Sequence, residues 1–375
     1  MQQLGLNNDV LAGGRRFHVQ TAYSEGAGTI TSQIFDNGRI VVKQEMAVDG
    51  GASSETLSGQ LSAMHQEMMA EMEMLFYIAE KVRQAKHPVS CNKLGLVFLS
   101  KNLFDDAVTQ FQAAIALDRE FAQAYKNLGM AFVLKKDFAA AEEALRRAVE
   151  LSREYADLYN YLGLALLEQK KYEEALSALS AALEVNPGYH EAHFNLASML
   201  IRTLAEGVEP SYLLPPAERA KRGAEHLARA AEGFASYRTP RLEKAMQLIE
   251  EGAYAQAQDE LEMLKQESRT EIEDLFEHEF YLKFMYGGKG KDDVFIERYA
   301  ENLRGAIRAY PQYADLHNNL GVAYLIQCRN LFLRALEEFR QAIAINPGFK
   351  RAEKNLKLAE NDGKGFLILL RAILK

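Results

Sequence analysis

The sequence predicts a mainly α-helical chain, an α-α superhelical solenoid of stacked helix pairs preceded by a small antiparallel β-meander and one long helix. The dipeptide Leu-Gly recurs every 34 residues, at Leu94-Gly95, Leu128-Gly129 and Leu162-Gly163. Such a period is typical of arrays in which each repeat is one supersecondary unit. Strand character is concentrated in residues 15–47, where β-branched and aromatic residues are frequent.

The first element is a small sheet, predicted within residues 1–53. Three strands are expected, in RRFHVQTAY, GTITSQIFD and RIVVKQEMA. The pair Asn37-Gly38 separates the last two. Asn-Gly is the strongest short hairpin signal, because both residues accept positive φ. Three strands bury too little apolar surface to be stable alone, so a helix or another chain must cover the sheet.

A methionine-rich amphipathic helix is predicted over residues 54–87. Its apolar residues fall three or four apart, which is helical spacing: Leu57, Leu61, Met64, Met68, Met72, Leu75, Ile78 and Val82. Three interpretations of this seam are open. It packs on the sheet and the first repeat, it forms a dimeric coiled coil, or it is an adaptable groove for a regulated partner.

Four repeat units are predicted over residues 88–232. Small and bulky residues follow each glycine at the same offsets: Ala107, Phe111 and Ala114; Ala141, Leu145 and Ala148; Ala175, Leu179 and Ala182. This pattern resembles the tetratricopeptide repeat, a pair of antiparallel helices that cross at a small residue. The fourth unit is interrupted by an insertion at about residues 203–216, after which Gly223 resumes the second-helix pattern.

Residues 233–349 are predicted to hold degenerate units five and six and a clear unit seven. Unit six has a first helix near residues 271–285. Unit seven repeats the pattern with Leu320-Gly321, Ala335 and Phe339. Residues 350–375 are predicted to form capping helices, the last of them FLILLRAILK, because the end of a stacked array leaves an apolar face to cover. A membrane-surface segment is the alternative for this last helix.

Composition limits the compartment and the partners. The 375 residues include 44 basic and 52 acidic side chains, a net charge of −8, so nucleic acid is not expected as a partner. Two distant cysteines and a first segment without an apolar core predict a cytoplasmic location, and no apolar run is long enough for a membrane helix. The N-terminal sheet and MHQEMM helix resemble a leader of some bacterial tetratricopeptide proteins of unassigned role.

The residues offer little that suggests chemistry. His190 and His193 lie one turn apart, but His193 occupies the aromatic position of its repeat, so packing explains it. No zinc motif occurs, and the GGKGK stretch at 287–291 lacks the ending of a phosphate-binding loop. We therefore expect no enzymatic activity, no cofactor and no metal.

The predicted binding site is the concave face of the repeats. Asn127, Tyr161, Asn195 and Asn319 each stand two residues before a crossing glycine or alanine. Three asparagines resemble the ladder with which some family members hold a peptide backbone; asparagine as an ordinary polar surface residue is the alternative. Lys126, Asn160, Met130 and Leu164 complete the predicted groove. A clamp for a terminal carboxylate is not expected, because Asp157 stands where a cation is needed.

These observations predict an adaptor or scaffold whose groove binds a peptide or helix of another protein. The alternative is a self-assembling structural protein that forms a homo-oligomer through its N-terminal or C-terminal helix. An enzyme using the insertion as a lid is a third class.

Overall fold

The computed structural model of the chain describes residues 5–49, 53–267, 275–289, 292–309, 311–312, 314–348 and 350–373. The chain divides into two compact units, Met1–Glu279 and Phe280–Lys375. Within the described residues, no helix combines the length and hydropathy that spanning a bilayer requires.

The N-terminal sheet has four antiparallel strands in sequential order, so the prediction of three strands was wrong. The strands are β1 (Gly5–Ala12), β2 (Arg15–Ser24), β3 (Thr29–Asp36) and β4 (Arg39–Ala47). The missed β1 pairs with β2 along its whole length. Its sequence GLNNDVLA contains a single β-branched residue, Val10, so it lacks the usual strand composition. Its pairing with β2 after the tight turn at Gly13-Gly14 makes it a strand.

The long helix α1 (Ser54–Ala85) covers this sheet, and all eight seam residues are buried. The Phe76 ring lies 5.5 Å from the ring of Phe17 in the sheet and 5.4 Å from that of Phe98 in the first repeat. The seam is therefore used within the chain, as the first of the three interpretations predicted. It offers no exposed apolar surface for a coiled coil or a groove.

Helix pairs follow, and each of the first three closes on its glycine. An ideal Cβ added to Gly95, Gly129 or Gly163 would lie 2.4 to 2.6 Å from Phe111, Leu145 or Leu179 of the same unit. The helices are α2 (Pro88–Ser100), α3 (Phe104–Leu117), α4 (Ala122–Lys135), α5 (Phe138–Leu151), α6 (Ala156–Glu168) and α7 (Tyr172–Val185). These contacts confirm the predicted phase of the repeat.

The fourth and fifth units continue the array. They consist of α8 (His190–Ala205) and α9 (Pro216–Gly233), then α10 (Pro240–Glu250) and α11 (Tyr254–Glu267). The non-helical part of the insertion runs from 206 to 215, since α8 extends through the predicted start. Arg219, only 1% exposed, donates through one guanidinium nitrogen to Thr203 Oγ1 at 2.9 Å and to the Val208 carbonyl at 2.8 Å. This buried cation fixes the insertion to both helices.

The second compact unit, Phe280–Lys375, departs from the prediction. It contains the end of α12 (Leu275–Met285). The helices that follow are α13 (Asp293–Ala309), α14 (Ala314–Ile345) and α15 (Lys350–Ile373). The predicted start of unit six at 271–274 lies outside the described residues. Unit seven is not a hairpin: α14 is one helix of 32 residues. The segment from Gln327 to Leu333 contains neither glycine nor proline to interrupt it. The two predicted capping helices are likewise one helix, α15.

The crossing glycines give a stability prediction. Gly129→Ala should lower the free energy of unfolding by about 1 to 3 kcal/mol, because the new Cβ would overlap Leu145 Cγ. Urea unfolding followed by circular dichroism measures this. The control is Gly59→Ala in α1, where an added Cβ meets nothing within 4 Å. It should raise stability by up to about 1 kcal/mol through helix propensity. Equal effects of the two substitutions would contradict the crossing.

Candidate functional site

Apart from Asn319, the predicted groove residues lie on the first helices of repeat units two to four, α4, α6 and α8. We call the surface formed by residues 92–93, 101, 126–130, 157–164 and 195 the first-helix face. Asn319 is partly buried, belongs to the second compact unit and is not among the residues of this face.

Two predicted asparagines are buried and bonded to other asparagines. Asn127 is 1% exposed, and its Nδ2 donates to Asn92 Oδ1 at 2.9 Å. Asn195 is 4% exposed and donates in the same way to Asn160 Oδ1 at 2.8 Å. These bonds join α4 to α2 and α8 to α6. Each therefore links the first helices of neighbouring units and satisfies groups that burial would otherwise leave unpaired.

An ion pair connects the helices of these two asparagine pairs. Lys126 Nζ lies 2.7 Å from Asp157 Oδ2, joining α4 to α6. Both side chains are partly buried, at 18% and 31% exposure. The carboxylate neutralises the lysine, so Lys126 is not an isolated cation that could grip a terminal carboxylate.

The apolar groove residues differ in accessibility. Met130 and Tyr161 are partly exposed, and Tyr161 packs against the core formed by units two to four. Leu164 is buried. The apolar part of the first-helix face is therefore a narrow strip around Met130 and Tyr161.

One end of the first-helix face holds an acidic segment of the same chain. Lys93 Nζ on α2 lies 3.4 Å from Glu277 Oε1 and donates to His278 Nδ1 at 3.2 Å. Lys101 Nζ lies 3.1 Å from Glu279 Oε1. Burial, together with the Lys93 charge, lowers the pKa of His278 to about 4. The imidazole is therefore neutral near pH 7 and able to accept the lysine hydrogen bond.

A separate concavity lies beneath the insertion, between α7, α8 and α9. It has a volume of about 520 Å³. Leucines make up much of its lining, among them Leu183, Leu196 and Leu213. His193 and His226 line it with their Nδ1 atoms 2.7 Å apart, so one ring donates and the other accepts. Sequence reasoning missed this pair, because the residues are 33 apart and no motif connects them.

Metal binding finds no support in this arrangement. Among the residues described, no three histidine, cysteine, aspartate or glutamate side chains converge as ligands would. His190 instead stacks on Phe234, with ring centroids 4.8 Å apart, and Pro187 O lies 3.0 Å from His193 Nε2.

The asparagine pairs predict a measurable coupling. Asn195→Ala should lower the free energy of unfolding by about 1 to 3 kcal/mol, since the buried Asn160 oxygen loses its donor. The double variant Asn160→Ala with Asn195→Ala should cost clearly less than the sum of the two single changes. Asn7→Ala, on the exposed side of β1, is the control and should change stability by less than about 0.5 kcal/mol. Strict additivity would rule out the pair as a structural bond.

The histidine pair predicts a pH dependence of stability. Burial lowers the pKa of His226 to about 4, and the neighbouring His193 adds to this effect. The folded state therefore binds the proton less readily than the unfolded chain, whose histidine titrates near 6.5. Stability is complete above about pH 6.5 and falls as the pH drops toward 4.

Urea unfolding at pH 7 and pH 5 tests this dependence. His226→Asn should reduce the loss of stability between the two values by roughly 1 kcal/mol, since asparagine keeps a donor and an acceptor but does not titrate. His317→Asn, at an exposed position, should leave the loss unchanged. A wild-type loss in His226→Asn would contradict the assignment.

Comparisons with known proteins identify the repeats. Two family models described as tetratricopeptide repeat match the chain, one at residues 92–159 and 300–348 and the other at 156–189. No curated protein matches the sequence.

Similar solved structures include MamA from Desulfovibrio magneticus RS-1, 21% identical, covering 48% of this chain and 95% of that one with a TM-score of 0.37. PilF of Pseudomonas aeruginosa is 20% identical, covering 61% and 95%, with a TM-score of 0.37. YrrB, described as a TPR protein with an unusual peptide-binding site, is 18% identical, covering 56% and 94%, with a TM-score of 0.34. By the family models and the helix crossings together, the chain contains tetratricopeptide repeats.

Proposed function

We propose that the chain is a protein-interaction adaptor whose first-helix face binds an acidic helical segment of a partner protein. One observation carries this proposal: the face already holds Glu277, His278 and Glu279 of its own chain against Lys93 and Lys101. A surface that accommodates one acidic helical segment has the shape and charge to accommodate another. The proposal assigns the chain no catalytic role.

The two lysines supply the electrostatic part of recognition. Both are less than 20% exposed, so their ion pairs are partly shielded from solvent and salt. The strip around Met130 and Tyr161 supplies an apolar contact for the adjoining turns of a bound helix. In this proposal Asn127, Asn195 and Asn160 support the face from below. The sequence suggested instead that Asn127 and Asn195 hold the peptide backbone. Asn319 has no place in this proposal.

Residues 277–279 of the same chain compete with the partner in this proposal. A partner must displace residues 277–279 before it can pair with Lys93 and Lys101. Binding is therefore weakened by the fraction of molecules whose face is already covered. Weakening the internal contact should increase affinity for an external acidic helix, and reversing the lysine charges should decrease it.

A labelled peptide with the sequence of residues 271–286, EIEDLFEHEFYLKFMY, provides the first test. Fluorescence anisotropy would measure its binding to the full chain. Glu277→Lys with Glu279→Lys should bind the peptide at least about tenfold more tightly than wild type, because the face is uncovered. Lys93→Glu with Lys101→Glu should bind it at least about tenfold more weakly.

Lys221→Glu, at an exposed position on the second helix of unit four, is the control and should bind like wild type. Equal binding by the Lys93→Glu, Lys101→Glu chain and the control would disprove the proposed site. Affinity capture from native extract with these same variants would then name the physiological partner. That partner should be lost from the Lys93→Glu, Lys101→Glu chain and enriched on the Glu277→Lys, Glu279→Lys chain.

The alternative of self-assembly keeps only part of its basis. The seam of α1 is buried within the chain, so assembly through the N-terminal helix has no apolar surface there. Assembly through the C-terminal helix stays a prediction, because the side chains from 366 onward lie outside those described.

A further inference from the structure

Helix α14 contains both halves of a repeat unit but does not close into a hairpin. In units one to three the bulky second-helix residue covers the crossing glycine, as Leu145 covers Gly129. In α14 the corresponding residues are Gly321 and Phe339. They are 18 residues apart on one continuous helix, which separates them by about 27 Å at the usual rise per residue. An added Cβ at Gly321 meets nothing within 4 Å, so its packing position is open.

The second half of the unit is also uncovered. Ala107, Ala141 and Ala175 are fully buried in units one to three. The residue at the same place in the pattern of unit seven, Ala335, is exposed. Phe339 is partly exposed, whereas its counterparts Phe111, Leu145 and Leu179 are fully buried. Both surfaces that would meet in a closed hairpin are therefore present, and each keeps exposed surface at Gly321 and Ala335.

These positions form one continuous stripe along α14. Spacings of three and four residues place them on one side of the helix, as in the seam of a coiled coil: Gly321, Tyr324, Cys328, Leu331, Ala335, Phe339 and Ala342. Tyr324 is 46% exposed and Leu331 is 63% exposed. The other side of α14 is buried, with Ala323 and Ile326 in the core shared with α13. No position of the stripe carries a charge.

We propose that a second copy of this chain covers the stripe, with the two α14 helices antiparallel. The pairing places Gly321 of each copy against Phe339 of the other, so that both open packing positions are filled at once. A two-fold axis near Asn330, midway between the two residues, satisfies this condition. Such an interface is self-complementary, and it exchanges the second half of a helical hairpin between two chains.

The repeat pattern selects a second copy as the occupant. Crossing glycine and bulky partner belong to one unit in each of the first three units, and unit seven carries both members of the pair, Gly321 and Phe339. The same chain cannot supply them while α14 is straight. The proposed dimer interface belongs to the second compact unit, Phe280–Lys375. It uses no residue of the first-helix face, so it does not depend on the adaptor proposal.

Light scattering coupled to size-exclusion chromatography of the full chain, over a range of concentrations, gives the first readout. The expected result is twice the monomer mass of 42.2 kDa. A short bismaleimide should also join two chains through Cys328, since that cysteine is exposed and Cys91 is buried. In the antiparallel pair the two Cys328 residues lie about 6 Å apart along the helix axes. A monomer at every concentration would overturn the proposal.

Two alanines of α14 provide a matched pair of variants. Ala335→Asp places a charge in the proposed interface, twice per dimer, and should weaken dimerisation at least about 100-fold. Ala344→Asp, nine residues on and on the opposite side of the helix, is also exposed and should weaken it less than about threefold. Circular dichroism of each variant checks that the fold is kept. A dimer that tolerates Ala335→Asp as well as Ala344→Asp would overturn the proposal.

Mixed cross-linking distinguishes exchange between chains from a closed hairpin. Chains with Gly321→Cys and chains with Phe339→Cys, both in a Cys328→Ser background, should cross-link to each other when mixed. A single chain with both cysteines should give cross-linked dimers. A link between 321 and 339 inside one monomer would show that the hairpin closes on itself and would overturn the proposal.

Discussion

The close approach of two helices at a small residue is the contact on which the repeat array depends. In units one to three, an added Cβ at the crossing glycine would overlap the bulky residue of the second helix. The two helices can therefore approach only because the side chain is missing, and their short separation brings the remaining apolar residues into one core. Unit four keeps the rule with its members exchanged. There Gly223 is on the second helix, and its missing Cβ would lie 2.9 Å from Ile201 on the first.

The polar bonds between first helices follow from this packing. Once each pair is closed, successive first helices lie side by side, and positions one residue out of phase with the repeat meet. Asn127 follows Asn92 by 35 residues, and Asn195 follows Asn160 by 35, one more than the period. That spacing is the signal that could have distinguished buried partners from a peptide-binding ladder. The sequence showed the asparagines, but the prediction compared equal positions of the repeat and so missed the pairing.

The predictable parts of the structure share a local or periodic origin. The repeat phase, the Asn37-Gly38 turn and the seam of α1 each follow from a local or periodic sequence pattern. None of these patterns requires knowledge of distant residues. The parts that escaped prediction depend on contacts between distant segments. His65 of α1 bonds to Thr21 Oγ1 at 2.9 Å and to Asn8 Oδ1 at 3.0 Å, beneath the helix. Lys93 meets residues 277 and 278, more than 180 positions later. Neither spacing carries a motif.

Unit seven keeps the residues of the repeat pattern but lacks the turn that closes the other hairpins. The hairpins of units one to three reverse direction at Asn102, Lys136 and Lys170, each with φ between 53° and 62°. Such a left-handed residue ends a helix and begins the return.

In α14 the residue best suited to that conformation is Asn330. It is buried, and its Nδ2 donates to Asp293 Oδ1 at 2.8 Å, a bond that holds it to α13 within the helix. The chain therefore keeps the two complementary halves of a repeat but lacks the turn that would join them. Complementary surfaces on a straight helix are satisfied by a symmetric partner, so the same pattern that builds a hairpin in units one to three favours association between chains in unit seven.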